Sequence, residues 1–139
     1  MLENKMSFEE LSERISVAPF HKWLGIVLTD VNQEGIEMRV PWRSEFVVNV
    51  ELGYTHGGIL AALIDVAADY AIAAKIGRPV PTIDMRVDYH RPAFKGDLIV
   101  KAKVIKLGSN FCNGEAEVSD KNGKTLASGR GVYLSAPLG

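Results

Sequence analysis

The chain has a single cysteine, Cys112, so no disulfide can close within it and no second thiol stands at zinc-ligand spacing. The thiol is expected to be a buried strand residue in a reducing compartment. Charge of one sign is lacking too: 16 Lys and Arg against 17 Asp and Glu leave a formal net charge of -1, with no global field to hold a polyanion. Nucleic acid is therefore not expected as a partner. The opening stretch, MLENKMSFEELSERIS, has no basic start followed by an apolar run, so no secretory signal is read and a cytoplasmic location is expected. The only run of membrane length, GGILAALIDVAADYAIAA, carries Asp65 and Asp69 near its middle, each costing about 2.5–3.5 kcal/mol on insertion scales. It reads as a buried helix with no membrane insertion. HExxH, CxxC, Walker and GxGxxG patterns are all missing, so no metal, nucleotide or flavin cofactor is indicated.

What is present suits one compact domain over residues 1–139, since 47% of the residues are hydrophobic and the length leaves no room for a second core. Ser7 and Glu10 form an S-x-x-E capping box, Met6 and Leu11 stand where a hydrophobic staple would, and Phe8, Leu11 and Ile15 repeat at helical spacing. A short helix should run from Phe8 and stop before Pro19. Leu24 to Val31 is strand-like, 32–35 is turn chemistry, and Ile36, Met38, Val40 and Trp42 alternate with polar residues as in a hairpin with one wet face. After a loop over 43–55, His56-Gly57-Gly58 opens a nearly all-apolar helix ending at Gly77, with Pro79 beyond. Such a helix must be wrapped on most sides. Four more strand patterns follow: Ile83 to Tyr89, Leu98 to Val104, Phe111 to Ser119 and Thr125 to Leu134, the last two joined by an Asp120-Lys121-Asn122-Gly123 turn. The order predicts an α+β fold in which about six antiparallel strands curve around one long central helix, with a short N-terminal helix outside.

Two places on that helix suggest chemistry. His56-Gly57-Gly58 lies where free backbone N–H groups and the positive end of the helix dipole point outward, and glycine lets a ligand approach them. Donors of this kind can polarise a carbonyl as it gains negative charge. Asp65, in an apolar helix, must find a partner or line a wet cavity. Asp69 follows four residues later on the same face, where like charges repel. Gly57 and Asp65 are eight residues apart, roughly 12 Å along one helix axis at about 1.5 Å per residue. One subunit cannot bring both to one carbonyl, whereas two antiparallel copies across a two-fold axis can. Thr82, just before the next strand pattern, offers a hydroxyl to orient water or a carboxylate. His21 and His90 fall into no triad or metal-ligand pattern and read as structural or surface groups.

The chain resembles the hotdog-fold acyl-CoA thioesterases of the phenylacetate-degradation and 4-hydroxybenzoyl-CoA type over about residues 20–135, with 1–19 as the N-terminal helix. The resemblance rests on His56-Gly57-Gly58, Asp65 nine residues after that histidine, Asp88-Tyr89-His90-Arg91-Pro92 followed by Gly96-Asp97, and Ala127-Ser128-Gly129-Arg130. It implies a homodimer or homotetramer with sheets joined edge to edge. It also implies that the Gly57 amide polarises a thioester carbonyl while Asp65 of the other subunit acts as general base or nucleophile. Thr82 matches the family's hydroxyl position. The resemblance also implies that coenzyme A is held by the stretch after the third strand, here Tyr89, His90, Arg91, Pro92, Ala93 and Phe94, and by a turn, here Lys106 to Asn110 with Gly108 and Ser109, and that Gly58 belongs to the substrate-binding residues. The sequence departs from the pattern twice. Val50 stands where the family usually has Asn or Gln, with Asn49 one residue earlier, and Ser109 stands where Lys or Arg often follows the turn glycine.

The reading is thus an acyl-CoA thioesterase acting on an aryl- or medium-chain acyl group without a cofactor. A non-catalytic hotdog module that binds acyl-CoA or another hydrophobic ligand is the alternative. A hotdog dehydratase is disfavoured because no second acid-base residue sits beside a histidine on the central helix.

Overall fold

A computed structural model describes residues 3–138. Two short helices, α1 (Phe8–Val17) and α2 (Pro19–Leu24), precede the strands β1 (Val27–Val31) and β2 (Ile36–Val40). The long helix α3 (Gly57–Ile76) follows, and then β3 (Thr82–Tyr89), β4 (Leu98–Leu107), β5 (Phe111–Ser119) and β6 (Thr125–Leu134). The six strands form one antiparallel sheet in the order β1-β2-β4-β5-β6-β3, curved around α3 in the hotdog arrangement that the pattern and the resemblance predicted.

Local chemistry explains most of the boundaries. Ser7 and Glu10 make both hydrogen bonds of the capping box at the start of α1, and Met6 and Leu11 are buried as a staple requires. His56 caps α3, while Gly77 ends it in the left-handed conformation at φ 92°, which glycine reaches without a Cβ penalty. Three expectations are corrected. Pro19 does not merely stop α1; it begins α2, because the first turn of a helix has no use for the missing N–H. Leu24 closes α2 in place of opening a strand, and Gly25, at φ 75°, caps it, so β1 begins only at Val27. Trp42 lies outside β2, which stops at Val40 before Pro41, a residue without a ladder donor.

The core lies between α3 and the sheet. Leu63, Ile64, Ala67, Ala68 and Ile72 of α3 face Val100, Cys112, Val118 and Ala127, all buried. Burying a side chain such as Leu63 or Ile72 contributes about 1.5–3 kcal/mol. Small sheet residues let the helix come close: a Cβ on Gly114 would stand 3.1 Å from the Ala68 carbonyl oxygen, and one on Gly129 only 2.9 Å from Ile64 Cγ2. Cys112 is buried in β5 as expected.

The two sheet edges differ. β1 is five residues long and α1 packs against it. β3 is eight residues long and outward-facing, with Ile83 52% and Tyr89 54% exposed. An uncovered edge of that length offers a row of unpaired backbone groups.

Candidate active site

Asp65 projects from the middle of α3 towards the β3–β6 pair. Its Oδ1 accepts from Thr82 Oγ1 at 2.6 Å and from Tyr133 Oη at 3.0 Å, and the Tyr133 hydroxyl is also 3.1 Å from the Asp65 carbonyl oxygen. Oδ2 has no hydrogen-bond partner among the described residues. The structure thus joins two residues that the sequence had singled out, Asp65 and Thr82, and adds a third. Tyr133 reads in sequence as an ordinary inward strand position. The available signal was chemical: a buried phenol needs a hydrogen-bond partner, and Asp65 was the carboxylate in want of a donor.

One helical turn further on, Asp69 Oδ1 accepts the Val80 backbone N–H at 2.8 Å. Burial pushes this carboxyl up to about 7 against the pull of the Val80 N–H, and the nearby Asp65 adds to the rise. Burial, then Asp65 and Asp69, also push the Tyr133 phenol well above its ordinary value, so it stays protonated and donates.

The second cluster gathers at the helix start. His56 Nδ1 accepts the Gly58 N–H at 2.7 Å, and the His56 carbonyl accepts from Ile59. The Gly57 N–H has no partner among the described residues, as a first-turn donor requires if it is to meet a ligand. Tyr89 Oη donates to the Gly57 carbonyl at 2.8 Å and its ring lies 3.2 Å from where a Gly57 Cβ would be. This tyrosine ties the end of β3 to the beginning of α3.

Asn49 is occupied in its own loop, where Oδ1 accepts the Leu52 N–H at 2.7 Å and Nδ2 reaches Tyr54 Oη at 3.5 Å. Val50 beside it is 93% exposed. In the segment after β3, His90 Nε2 meets Ser128 Oγ at 2.8 Å, Arg91 donates to the Thr125 carbonyl at 2.8 Å, the Ala93 carbonyl accepts from Thr55, Pro92 is exposed, and Phe94 is 56% exposed. His21 is structural, with Nδ1 3.0 Å from the Ile15 carbonyl oxygen and its ring edge-on to Tyr70. The β4–β5 turn leaves Lys106, Ser109 and Asn110 exposed, while Gly108 is needed because a Cβ would strike the Phe111 carbonyl. This turn lies beside Ser135, next to the start of β3, whereas residues 90–94 follow the far end of β3. Seven strand steps at about 3.3 Å separate Thr82 from Tyr89, roughly 23 Å. Within one chain the predicted residues therefore form two groups: Asp65, Thr82 and the 106–110 turn at one end of β3, and His56, Gly57, Gly58, Tyr89 and residues 90–94 at the other.

A concavity of about 660 Å³ on the outer face of the sheet, beside Arg86, Lys101, Lys103 and Arg130, touches neither Asp65 nor Gly57. Its cations are paired with Asp88, Glu37 and Glu115. Among the described residues no helix is long and apolar enough to cross a membrane, and no group of three or more His, Cys, Asp or Glu could hold a metal ion.

Comparison with known proteins accords with this geometry. The thioesterase superfamily profile matches residues 52–127, which include the helix cap, Asp65, Thr82 and Tyr89. A crystal structure from the same superfamily superposes with a TM-score of 0.89 at 46% identity, over 91% of this chain and 96% of that one. A candidate esterase of Halobacterium salinarum is 34% identical over 122 residues, 80% of each chain. Human acyl-coenzyme A thioesterase 13 is 33% identical over 82 residues, 57% of this chain and 59% of that protein. The fold, the paired helix features and these similarities together place the chain in the thioesterase superfamily, as a hotdog-fold thioester hydrolase.

Proposed function

We propose that this protein hydrolyses an aryl- or medium-chain acyl-CoA at a site shared by two copies of the chain. The observation that carries the reading is the division of the polar groups: among the described residues, a carboxylate with one unpartnered oxygen lies at one end of β3 and a helix N–H without a partner at the other. Pairing of two β3 edges in antiparallel fashion across a two-fold axis brings Thr82 and Asp65 of one copy towards Tyr89 and Gly57 of the other. A homodimer is the smallest assembly that satisfies this, and a homotetramer contains two.

In such a site the thioester carbonyl oxygen accepts the Gly57 N–H of one copy, with the positive end of α3 behind it. Asp65 of the other copy then works in one of two ways. As base, it takes a proton from water as the water oxygen bonds to the carbonyl carbon; the tetrahedral adduct collapses, the C–S bond breaks, and the thiolate leaves and is protonated. As nucleophile, the carboxylate itself bonds to the carbonyl carbon and expels the thiolate, and water then cleaves the mixed anhydride. Both routes yield the free acid and coenzyme A. The stretch from Tyr89 to Phe94 of one copy, exposed except at Ala93, and the Lys106–Asn110 turn of the other border the nucleotide end, with Arg91 and Lys106 supplying positive charge. Ser109 gives this turn a hydroxyl where a cation would bind phosphate more strongly.

The engaged amide of Asn49 and the exposed Val50 favour a second reading, a non-catalytic acyl-CoA-binding module. A panel of acyl-CoAs followed with a thiol reagent separates the two. Thiol release that falls at least about a hundredfold in Asp65→Asn, with folding intact, supports hydrolysis by this carboxylate. Tight binding without thiol release would select the module, and near-normal release by Asp65→Asn would remove Asp65 from the chemistry.

A further inference from the structure

We propose that Tyr133 is a positioning residue for the reaction, locking Oδ1 of Asp65 together with Thr82 so that Oδ2 is the oxygen that acts. This rests on the assignment of Asp65 as the acting carboxylate.

The two donors do not meet Asp65 by separate routes. Thr82 of β3 and Tyr133 of β6 are direct register partners, so one cross-strand pair presents both hydroxyls to the same oxygen. Tyr133 is fully buried, and β6 makes room for its ring by having glycine at 131, where a Cβ would collide with the ring. A buried ring held this way fixes its hydroxyl far better than an exposed one. Its single proton is shared between Oδ1 and the backbone carbonyl of the same residue, which ties the side chain to its own helix turn.

A carboxylate offers about four lone-pair sites over two oxygens. With Oδ1 accepting twice and Oδ2 free, rotation of the carboxylate about its Cβ–Cγ bond would break two hydrogen bonds at once. The acting oxygen is thereby chosen before substrate binds. Because burial and the neighbouring carboxylates keep the phenol protonated, Tyr133 remains a donor throughout the working pH range. The titratable groups coupled to this cluster are Asp65 itself and Asp69, one turn along the same helix.

Tyr133→Phe removes the donor and keeps the ring. The expected result is a fall in kcat of at least about tenfold, since small misplacements of a reacting group are costly, with KM within about twofold of wild type. The acidic limb of the kcat/KM profile should also move to higher pH, because the anion loses a donor. A purely structural role would lower thermal stability without moving that limb. Site-specific 3-fluorotyrosine at position 133 keeps both packing and hydroxyl while strengthening the donor, and should move the limb to lower pH. This variant reads the same linkage even if Tyr133→Phe folds poorly. An unmoved limb in both variants, with Asp65→Asn inactive, would overturn the role of Tyr133 and leave that of Asp65 standing. Substantial turnover by Asp65→Asn would instead remove the assignment on which both depend.

Discussion

The Asp69 carboxylate accepts the Val80 backbone N–H at 2.8 Å, and this single bond fastens the connection after α3 to the helix two residues before Thr82. Asp65 and Asp69, four apart, thus divide the work: one carboxylate is met by two hydroxyls, and the other holds the segment that delivers one of them. Asp69→Asn retains a carbonyl oxygen able to accept the same N–H. We expect its turnover to fall far less than that of Asp65→Asn, under steady-state assay with one acyl-CoA. The reverse ranking would show that the wrong carboxylate was assigned to the chemistry.

Asp69 also makes stability depend on pH. Burial raises its carboxyl from an ordinary 3.8 to about 7, so between those values the folded chain keeps a proton that the unfolded chain has released. The sign follows: the stabilisation from keeping Asp69 neutral is fully present below about 3.8 and is lost as pH rises through 7. Asp69→Asn cannot ionise. Urea titrations of both proteins should show the variant gaining on wild type between pH 5 and 8, and a constant difference across that range would contradict the buried, protonated state.

The shared site is tested by complementation. Gly57→Pro deletes the N–H at a first-turn position where proline fits a helix, and alone it should be nearly inactive, as should Asp65→Asn. Any side chain at 57 also meets the Tyr89 ring, so Gly57→Ala, which keeps the N–H, measures that contact separately. In a mixed dimer one site collects both lesions and the other none. Refolding an equal mixture puts about half of the dimers in the mixed form and should restore roughly a quarter of wild-type activity. Proven subunit exchange with no recovery would mean that Gly57 and Asp65 do not cooperate across an interface.

Gly129 tests how closely helix and sheet are packed. A Cβ there would lie 2.6 Å from the Arg86 carbonyl oxygen and 2.9 Å from Ile64 Cγ2, so Gly129→Ala must push β6 away from both β3 and α3. Overpacking of this kind costs about 1–3 kcal/mol. A lowered melting temperature is expected, and an unchanged one would show that the sheet yields at this point.

Much of the fold was legible because its signals are local. The capping box at Ser7 and Glu10, the glycine after Ile76 and the turn at 120–123 each act over a few residues, and each produced the boundary it predicts. Pro19 misled because proline after a helix and proline opening the next one look alike until Gly25 is recognised as the cap of a second short helix. In the site, Asp65 and the His56-Gly57-Gly58 start stood out as local anomalies, a carboxylate within an apolar run and two glycines opening a helix. Tyr133 did not, because its role arises from a contact with a residue 68 positions away. Nor did the local use of Asn49, which depends on how its loop closes on Leu52.

The sequence by itself determined the helix that must be wrapped, the strands that wrap it and the impossibility of bringing Gly57 and Asp65 of one chain together, because periodicity and helical rise are properties of a single segment. Only the tertiary structure decided which side chains Asp65 meets and which of its oxygens stays free. It also decided that β3 rather than β1 is left as the open edge. Those facts depend on strand order and register, which place Thr82 opposite Tyr133 and both beneath the middle of α3, and no local rule carries a register across so many residues.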